Sequence, residues 1–173
     1  MKRYIKSAVT DISNEDISTQ LEVLRDPNIS PDILWQFANA NPVIQFDVAK
    51  NPNAPEDLLR ELYSHNLFGI NKELAGNPST PADILDGLLS IQNISLEILK
   101  RIAKNPNTSV ATLIKIYDRP VLHPEVKEQL AVNSNTPIDI LLDILKTGNL
   151  NARSKVRNKL WELGYDSKGN KVK

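Results

Sequence analysis

Five nine-residue blocks recur along the chain without gaps: DPNISPDIL from Asp26, NPNAPEDLL from Asn51, NPSTPADIL from Asn77, NPNTSVATL from Asn105 and NSNTPIDIL from Asn133. Their starts are 25, 26, 28 and 28 residues apart. A period of that length holds one helix–turn–helix unit and is shorter than the roughly 33–34 residues of ankyrin or tetratricopeptide repeats. It also explains why 11 prolines sit in an otherwise helix-like chain: they recur in register, as punctuation rather than as a mark of disorder.

Apolar residues flank each block at helical spacing. Before the blocks stand Ile44 with Val48 and Ala49, Ile70 with Leu74 and Ala75, Ile98 with Ile102 and Ala103, and Val126 with Leu130 and Ala131. An i, i+4, i+5 set is one stripe of an α-helix, called helix A here. The first unit is weaker, with Thr19, Val23 and Leu24 in those places. From the end of each block a second stripe runs at i, i+1, i+4, i+5: Ile33, Leu34, Phe37 and Ala38; Leu58, Leu59, Leu62 and Tyr63; Ile84, Leu85, Leu88 and Leu89; Thr112, Leu113, Ile116 and Tyr117; Ile140, Leu141, Ile144 and Leu145. This is helix B. The recurring alanines predict buried positions where neighbouring helices approach closely.

The nonamer itself has a mechanical reading. Asn at its first position is expected to end helix A in the left-handed conformation, with the following Pro blocking continuation. Thr80, Thr108 and Thr136 are expected to N-cap helix B, with Ser30 as the cap in the first unit, where the proline shifts to Pro31. Pro55, Pro81 and Pro137 then fall at the first helical position. Asp57, Asp83 and Asp139 lie where a carboxylate reaches back to the cap's N–H and complements the helix dipole.

The L-A-x-N-P-N-T-P-x-D-L-L pattern is carried by Leu74, Ala75, Asn77, Pro78, Thr80 and Pro81, and by Ala103, Asn105, Pro106, Asn107 and Thr108. Over roughly residues 19–146 it resembles the leucine-rich repeat variant family and related bacterial α-helical repeat proteins. The resemblance implies a right-handed solenoid of alternating α and short 3₁₀ or α helices. The family's cysteine-rich iron–sulfur region has no counterpart, because the chain has no cysteine. The slightly longer period predicts a fully α-helical helix B. The expected fold is therefore all-α: a right-handed α-solenoid of about five helix–turn–helix repeats with atypical end caps.

Residues 1–18 lack the motif and read as an N-terminal cap or arm, in which Tyr4, Ile5, Val9, Ile12 and Ile17 cover the first unit or meet a partner. Residues 19–150 are the solenoid and 151–165 a C-terminal capping helix. In that helix Val156 and Leu160 continue the helix A stripe, and Trp161 is expected to cover the last open face. Residues 166–173 read as a flexible tail. The B-to-A connections, 39–43, 64–69, 90–97, 118–125 and 146–155, vary from 5 to 10 residues, marking the edge where this repeat tolerates or uses change.

Composition narrows the chemistry. The 21 basic and 21 acidic residues cancel, which disfavours a general polyanion binder. The lack of cysteine excludes disulfides, thiolate metal sites and cysteine nucleophiles. No apolar run reaches the ~18 residues of a membrane span, and no signal peptide follows the basic start, so a cytoplasmic location is expected. The abundance of Asn, Ile and Lys fits an AT-rich bacterial or phage genome. No phosphate loop, G-x-S-x-G or H-E-x-x-H occurs, and the two histidines, His65 and His123, fall in separate variable connections. No catalytic residue, metal site, cofactor or small-molecule substrate is predicted.

Function is left to residues that do not recur. Trp35 and Phe46 are aromatics at positions held elsewhere by unrelated residues, and Phe68, Arg119 and His123 lie at the variable edge. Arg153, Lys155, Arg157 and Lys159 make the C-terminal helix basic, within a segment (151–173) of net charge +5. The reading is a non-catalytic protein–protein interaction scaffold. The alternative is a nucleic-acid-contacting module that uses the basic C-terminal helix and the N-terminal Lys2, Arg3 and Lys6.

Overall fold

The computed structural model describes residues 16–166 and 168–172, so the cap or arm expected at the N-terminus lies, up to residue 15, outside the described residues. Eleven α-helices follow one another: α1 (Ile17–Leu24), α2 (Pro31–Ala40), α3 (Gln45–Lys50), α4 (Glu56–Ser64), α5 (Phe68–Gly76), α6 (Ala82–Leu89), α7 (Leu96–Lys104), α8 (Val110–Tyr117), α9 (Pro124–Val132), α10 (Ile138–Thr147) and α11 (Leu150–Glu162). Odd-numbered helices are the A helices and even-numbered ones the B helices, giving five pairs and a terminal helix. Every B helix is α-helical, and among the described residues a 3₁₀ turn, Pro42–Ile44, leads into α3. Among the described residues there is no strand, only an isolated bridge between Tyr165 and Lys171.

The A helices form a continuous packed row, α3 on α5, α5 on α7, α7 on α9 and α9 on α11, whereas the B helices touch one another far less. The closer row lies on the inner circumference of the solenoid. Small residues permit that approach: Ala49, Ala75, Ala103 and Ala131 are all 0% exposed. The two apolar stripes meet in a single core that runs from Leu24 to Leu160.

The nonamers work differently from the capping scheme. Asn51, Asn77, Asn105 and Asn133 are extended, with φ between −76° and −62°, not left-handed. Where proline follows, the ring forbids the helical region to the residue before it. Left-handed asparagines do occur, at Asn66 and Asn93, but in the B-to-A connections. The nonamer asparagines are instead buried and bonded across the repeat boundary. Each Nδ2 donates to two carbonyls of the preceding unit: Asn51 to Leu24 and Asp26, Asn77 to Ala49 and Asn51, Asn105 to Ala75 and Asn77, and Asn133 to Ala103 and Asn105, all at 2.7–3.1 Å. Each Oδ1 accepts the backbone N–H two residues on, closing the turn. A second rail runs alongside, where Asn53, Asn107 and Asn135 donate to carbonyls of the previous nonamer.

The threonines do not cap helix B. Thr80, Thr108 and Thr136 are buried and turn back, donating to the carbonyls of Leu74, Ile102 and Leu130 at 2.7, 2.5 and 2.7 Å. They add a second bond to carbonyls at the end of helix A that also accept from the Asn77, Asn105 and Asn133 N–H groups. Helix B begins one residue later than expected. Pro55, Pro81 and Pro137 occupy the N-cap position itself, with no side-chain cap bond, and Ser109 rather than Thr108 caps α8. Because a proline cap has no N–H, Asp57, Asp83 and Asp139 have nothing to reach back to, and their part is the charge in the first turn. Ser30 does cap α2, through a 3.4 Å bond from the Ile33 N–H.

At the C-terminal end the buried stripe of α11 is Ala152, Val156 and Leu160, while Trp161 is 78% exposed. It does not cover the last face. The equivalent alanines are buried because a further repeat packs over them, and no described element does so here. Of the segment read as a flexible tail, 166–173, the described residues are hydrogen-bonded: the Asp166 N–H donates to Asn170 at 2.8 Å and the Val172 N–H to Gly164 at 2.9 Å, and Gly169 lies against Leu142.

Asn105→Ala should cost about 2–4 kcal/mol, since it strands the buried Ala75 carbonyl, removes one of two bonds on the Asn77 carbonyl and opens a turn. Thr80→Val should cost less, about 0.5–1.5 kcal/mol, by removing one of the two bonds that the Leu74 carbonyl accepts. Ala103→Leu should overpack the A row at a cost of roughly 1–3 kcal/mol. Urea denaturation of the three variants checks the order.

Candidate interaction surface

The apolar candidates divide by burial. Trp35, on α2, is half-buried against the core and belongs to its margin. Phe46, on α3, is 39% exposed, and Phe68, the first residue of α5, is 65% exposed. Across the repeat boundary the Phe46 ring lies on Gly69, the residue after Phe68, in the space where a side chain on Gly69 would stand. At the position of Gly69 the next repeats carry Glu97 and Glu125, which face Lys72 and Lys100 at the position of Phe46. Repeat 2 thus replaces an ion pair by a ring laid on a glycine. Val43, one turn before Phe46, and Leu67, beside Phe68, are also exposed, so an apolar patch lies at this edge. Val43 and Leu67 were not singled out from sequence. The signal was available in Gly69, the one helix A position of its kind without a side chain.

The remaining candidates are mostly engaged. His123 is exposed and N-caps α9, its Nδ1 accepting from the Glu125 N–H at 3.3 Å. Arg119 is half-buried just after α8. On α11, Lys155 pairs with Glu128 at 3.0 Å, Arg153 and Lys159 are half-buried, and Arg157 stands free in solvent. The basic helix does not present four unencumbered cations.

Ion pairs stitch the rest of the surface. Arg60 joins Asp83 at 2.6 Å, Arg101 joins Glu73 at 3.3 Å, Lys115 joins Asp86 at 2.7 Å and Lys100 joins Glu125 at 2.6 Å, each spanning two repeats. These partners hold Asp83, Asp86 and Glu125 below the ordinary carboxylate range. Exposed pairs of this sort contribute about 0–1 kcal/mol each, so they set register more than stability. Between repeats 1 and 2 no ion pair occurs among the described residues. On the B side, Tyr117 hydrogen-bonds Asp143, which also accepts from Thr147 at 3.1 Å.

An open groove of about 400 Å³ lies on the A row, lined by Gly76, Glu97, Lys100, Arg101, Lys104 and Gln129 among others. Its charged groups are largely spent on one another: Arg101 on Glu97 and Glu73, Lys100 on Glu125. Among the described residues no cluster of three or more His, Asp or Glu side chains is arranged for a metal ion. No helix there is long and apolar enough to cross a membrane.

Residues 18–68, which take in repeats 1 and 2, match the family model of the Leucine Rich Repeat Variant domain. No curated protein and no solved structure matches the chain.

The Tyr117–Asp143 pair should be visible in the pH dependence of stability. Burial first, and the bond to Asp143 second, push the Tyr117 hydroxyl up from 10.0 to about 12. Its contribution is therefore complete below pH 10 and lost as pH rises toward 12. Asp143, held low chiefly by the Tyr117 hydroxyl, contributes above the ordinary carboxylate range and loses this as acid protonates it. Tyr117→Phe should lower the melting temperature near neutrality, where the pair contributes fully, and flatten both limbs in melting curves taken from pH 2 to 12.

Proposed function

We propose that the chain is a non-catalytic scaffold that binds another protein through the apolar patch of Val43, Phe46, Leu67 and Phe68. One observation carries this: where later repeats close the A row with ion pairs, repeat 2 leaves an aromatic ring on a glycine, flanked by exposed aliphatic and aromatic side chains. The recurring residues are consumed in the asparagine rails, the threonine back-bonds and the core, which leaves recognition to residues that do not recur. Exposed aromatics at one edge of a rigid surface suit an anchor residue of a partner, flanked by weaker contacts. Trp35 supports the patch from the core margin, and Arg119 and His123 lie further along the same variable edge. A protein of this kind works in the cytoplasm.

Binding to a nucleic acid draws less support. The A helices together carry +3 and the B helices −5, and most of the basic excess sits on α7 and α11, where Lys100, Arg101 and Lys155 already hold carboxylates.

Capture from a host lysate on the immobilised full chain, compared with Phe68→Ser and Phe46→Ala, tests the proposal. Partner recovery should fall about tenfold for each variant while the far-ultraviolet circular dichroism stays unchanged. Equal recovery by all three proteins would remove the patch from the reading. A salt-sensitive affinity for random RNA or DNA, abolished by Arg153→Ala with Arg157→Ala, would replace it with the nucleic-acid module.

A further inference from the structure

Helix α5 is low on the side that faces solvent. Two outward positions, seven residues and about two turns apart, are both glycine: Gly69 and Gly76. The same places carry Val43 and Lys50 on α3, and Glu97 and Lys104 on α7. The room is taken from the sides. The Phe46 ring, from α3, lies on Gly69, and the Arg101 guanidinium, from α7, lies on Gly76. A trough thus follows about 10 Å of α5, with a ring at one end of its floor and a guanidinium at the other. Two glycines in a helix of 9 residues weaken it, a cost that α7 and α9 avoid.

The two ends differ in chemistry. The Gly69 end is the apolar patch, with Val43, Leu67 and Phe68 exposed around the ring. The Gly76 end opens into the groove against α7 and is cationic. The carboxylates beside it, Glu73 and Glu97, are already held by Arg101 at 3.3 and 3.0 Å, and Lys100 is held by Glu125. Lys104, exposed at the end of α7, closes no ion pair among the described residues. Lys72, half-buried one turn before Gly76, has in its field the Glu97 that Arg101 already binds. Positive charge is left over at one end of the trough and apolar surface at the other.

We infer, on the reading that the patch is the binding surface, that the trough seats an acidic amphipathic helix of the partner protein. An apolar side chain of that helix rests on Phe46 and Phe68. An acidic one, seven residues away on the same face, meets Lys72 and Lys104 beside the Arg101 guanidinium. A helix is about 10 Å across, and α3 and α7, each packed on α5, stand on the order of 16–20 Å apart, which admits one between their side chains. Along its length α5 has no unpaired backbone N–H or C=O for an extended strand to pair with, so a helix fits where a strand does not. An acid, rather than a base, matches the unspent lysines.

Selection on the immobilised full chain, from a displayed library of helical peptides randomised along one face, tests this. Enriched peptides should pair an aromatic or aliphatic residue with Asp or Glu seven positions away. Their affinity should fall about tenfold for Phe68→Ser, and about tenfold for Lys72→Glu with Lys104→Glu, at unchanged circular dichroism. Changing the peptide's acid to lysine should restore binding to the double variant. Enrichment without an acid at that spacing, no enrichment at all, or a swap without rescue would each overturn the inference. Peptides weakened by Phe68→Ser alone would overturn it and leave the patch standing, whereas peptides weakened by neither variant would count against both. Binding of random RNA that the double variant loses and Phe68→Ser keeps would assign the cationic end to a nucleic acid instead.

Discussion

The side-chain amide of the first asparagine in each nonamer is the interaction on which the rest of the structure hangs. A helix–turn–helix unit of 25–28 residues cannot bury its apolar faces alone; it needs the next unit held at a fixed offset. The amide supplies that offset. It fills two carbonyls of the preceding turn, each of which would cost about 1–3 kcal/mol if buried unpaired, and its own oxygen closes the turn it belongs to. Every rung therefore satisfies backbone groups in two repeats at once. Because nearly all of these bonds are buried, a slip by one residue would break several of them together.

Packing follows from the ladder. With the turns fixed at hydrogen-bonding distance, the A helices are drawn close enough that only alanine fits at Ala49, Ala75, Ala103 and Ala131. The B helices, tied less directly, diverge, and the solenoid curves toward its A row. The threonines add a second bond to carbonyls near the end of helix A, which repeats 1 and 2, with Ile29 and Ala54 in that place, satisfy through the backbone N–H of Asp26 and Asn51 alone. Ion pairs such as Arg60 with Asp83 and Lys100 with Glu125 then decorate a register that is already set.

A scaffold held this way separates stability from recognition. The groups that recur are internal to the ladder and core, and the surface is free to differ between repeats. Repeat 2 uses that freedom at Phe46 and Gly69, trading a charge pair for an apolar shelf. The C-terminal helix uses it differently: Trp161 stands in the alanine position and projects into solvent, because no described element packs over it.

The residues alone determined the number of repeats, the helix type of each segment and the buried faces. Periodicity is a local property, and Ile70, Leu74 and Ala75 or Leu58, Leu59 and Leu62 state their face without reference to anything distant. They also pointed to Phe46 and Phe68 as residues outside the pattern. What they could not decide was the partner of each polar group. Asn105 has the same composition-level signature whether it ends a helix or reaches across a boundary to Ala75 and Asn77, and Thr108 the same whether it caps forward or bonds back to Ile102. The choice depends on which carbonyls lie within about 3 Å once the repeats are stacked. The same holds for the patch: that the Phe46 ring rests on Gly69, 23 positions along the chain, is set by the stacking distance of α3 and α5. Local sequence encodes which face is apolar; only the tertiary arrangement selects among hydrogen-bond acceptors and neighbours that are far apart in the chain.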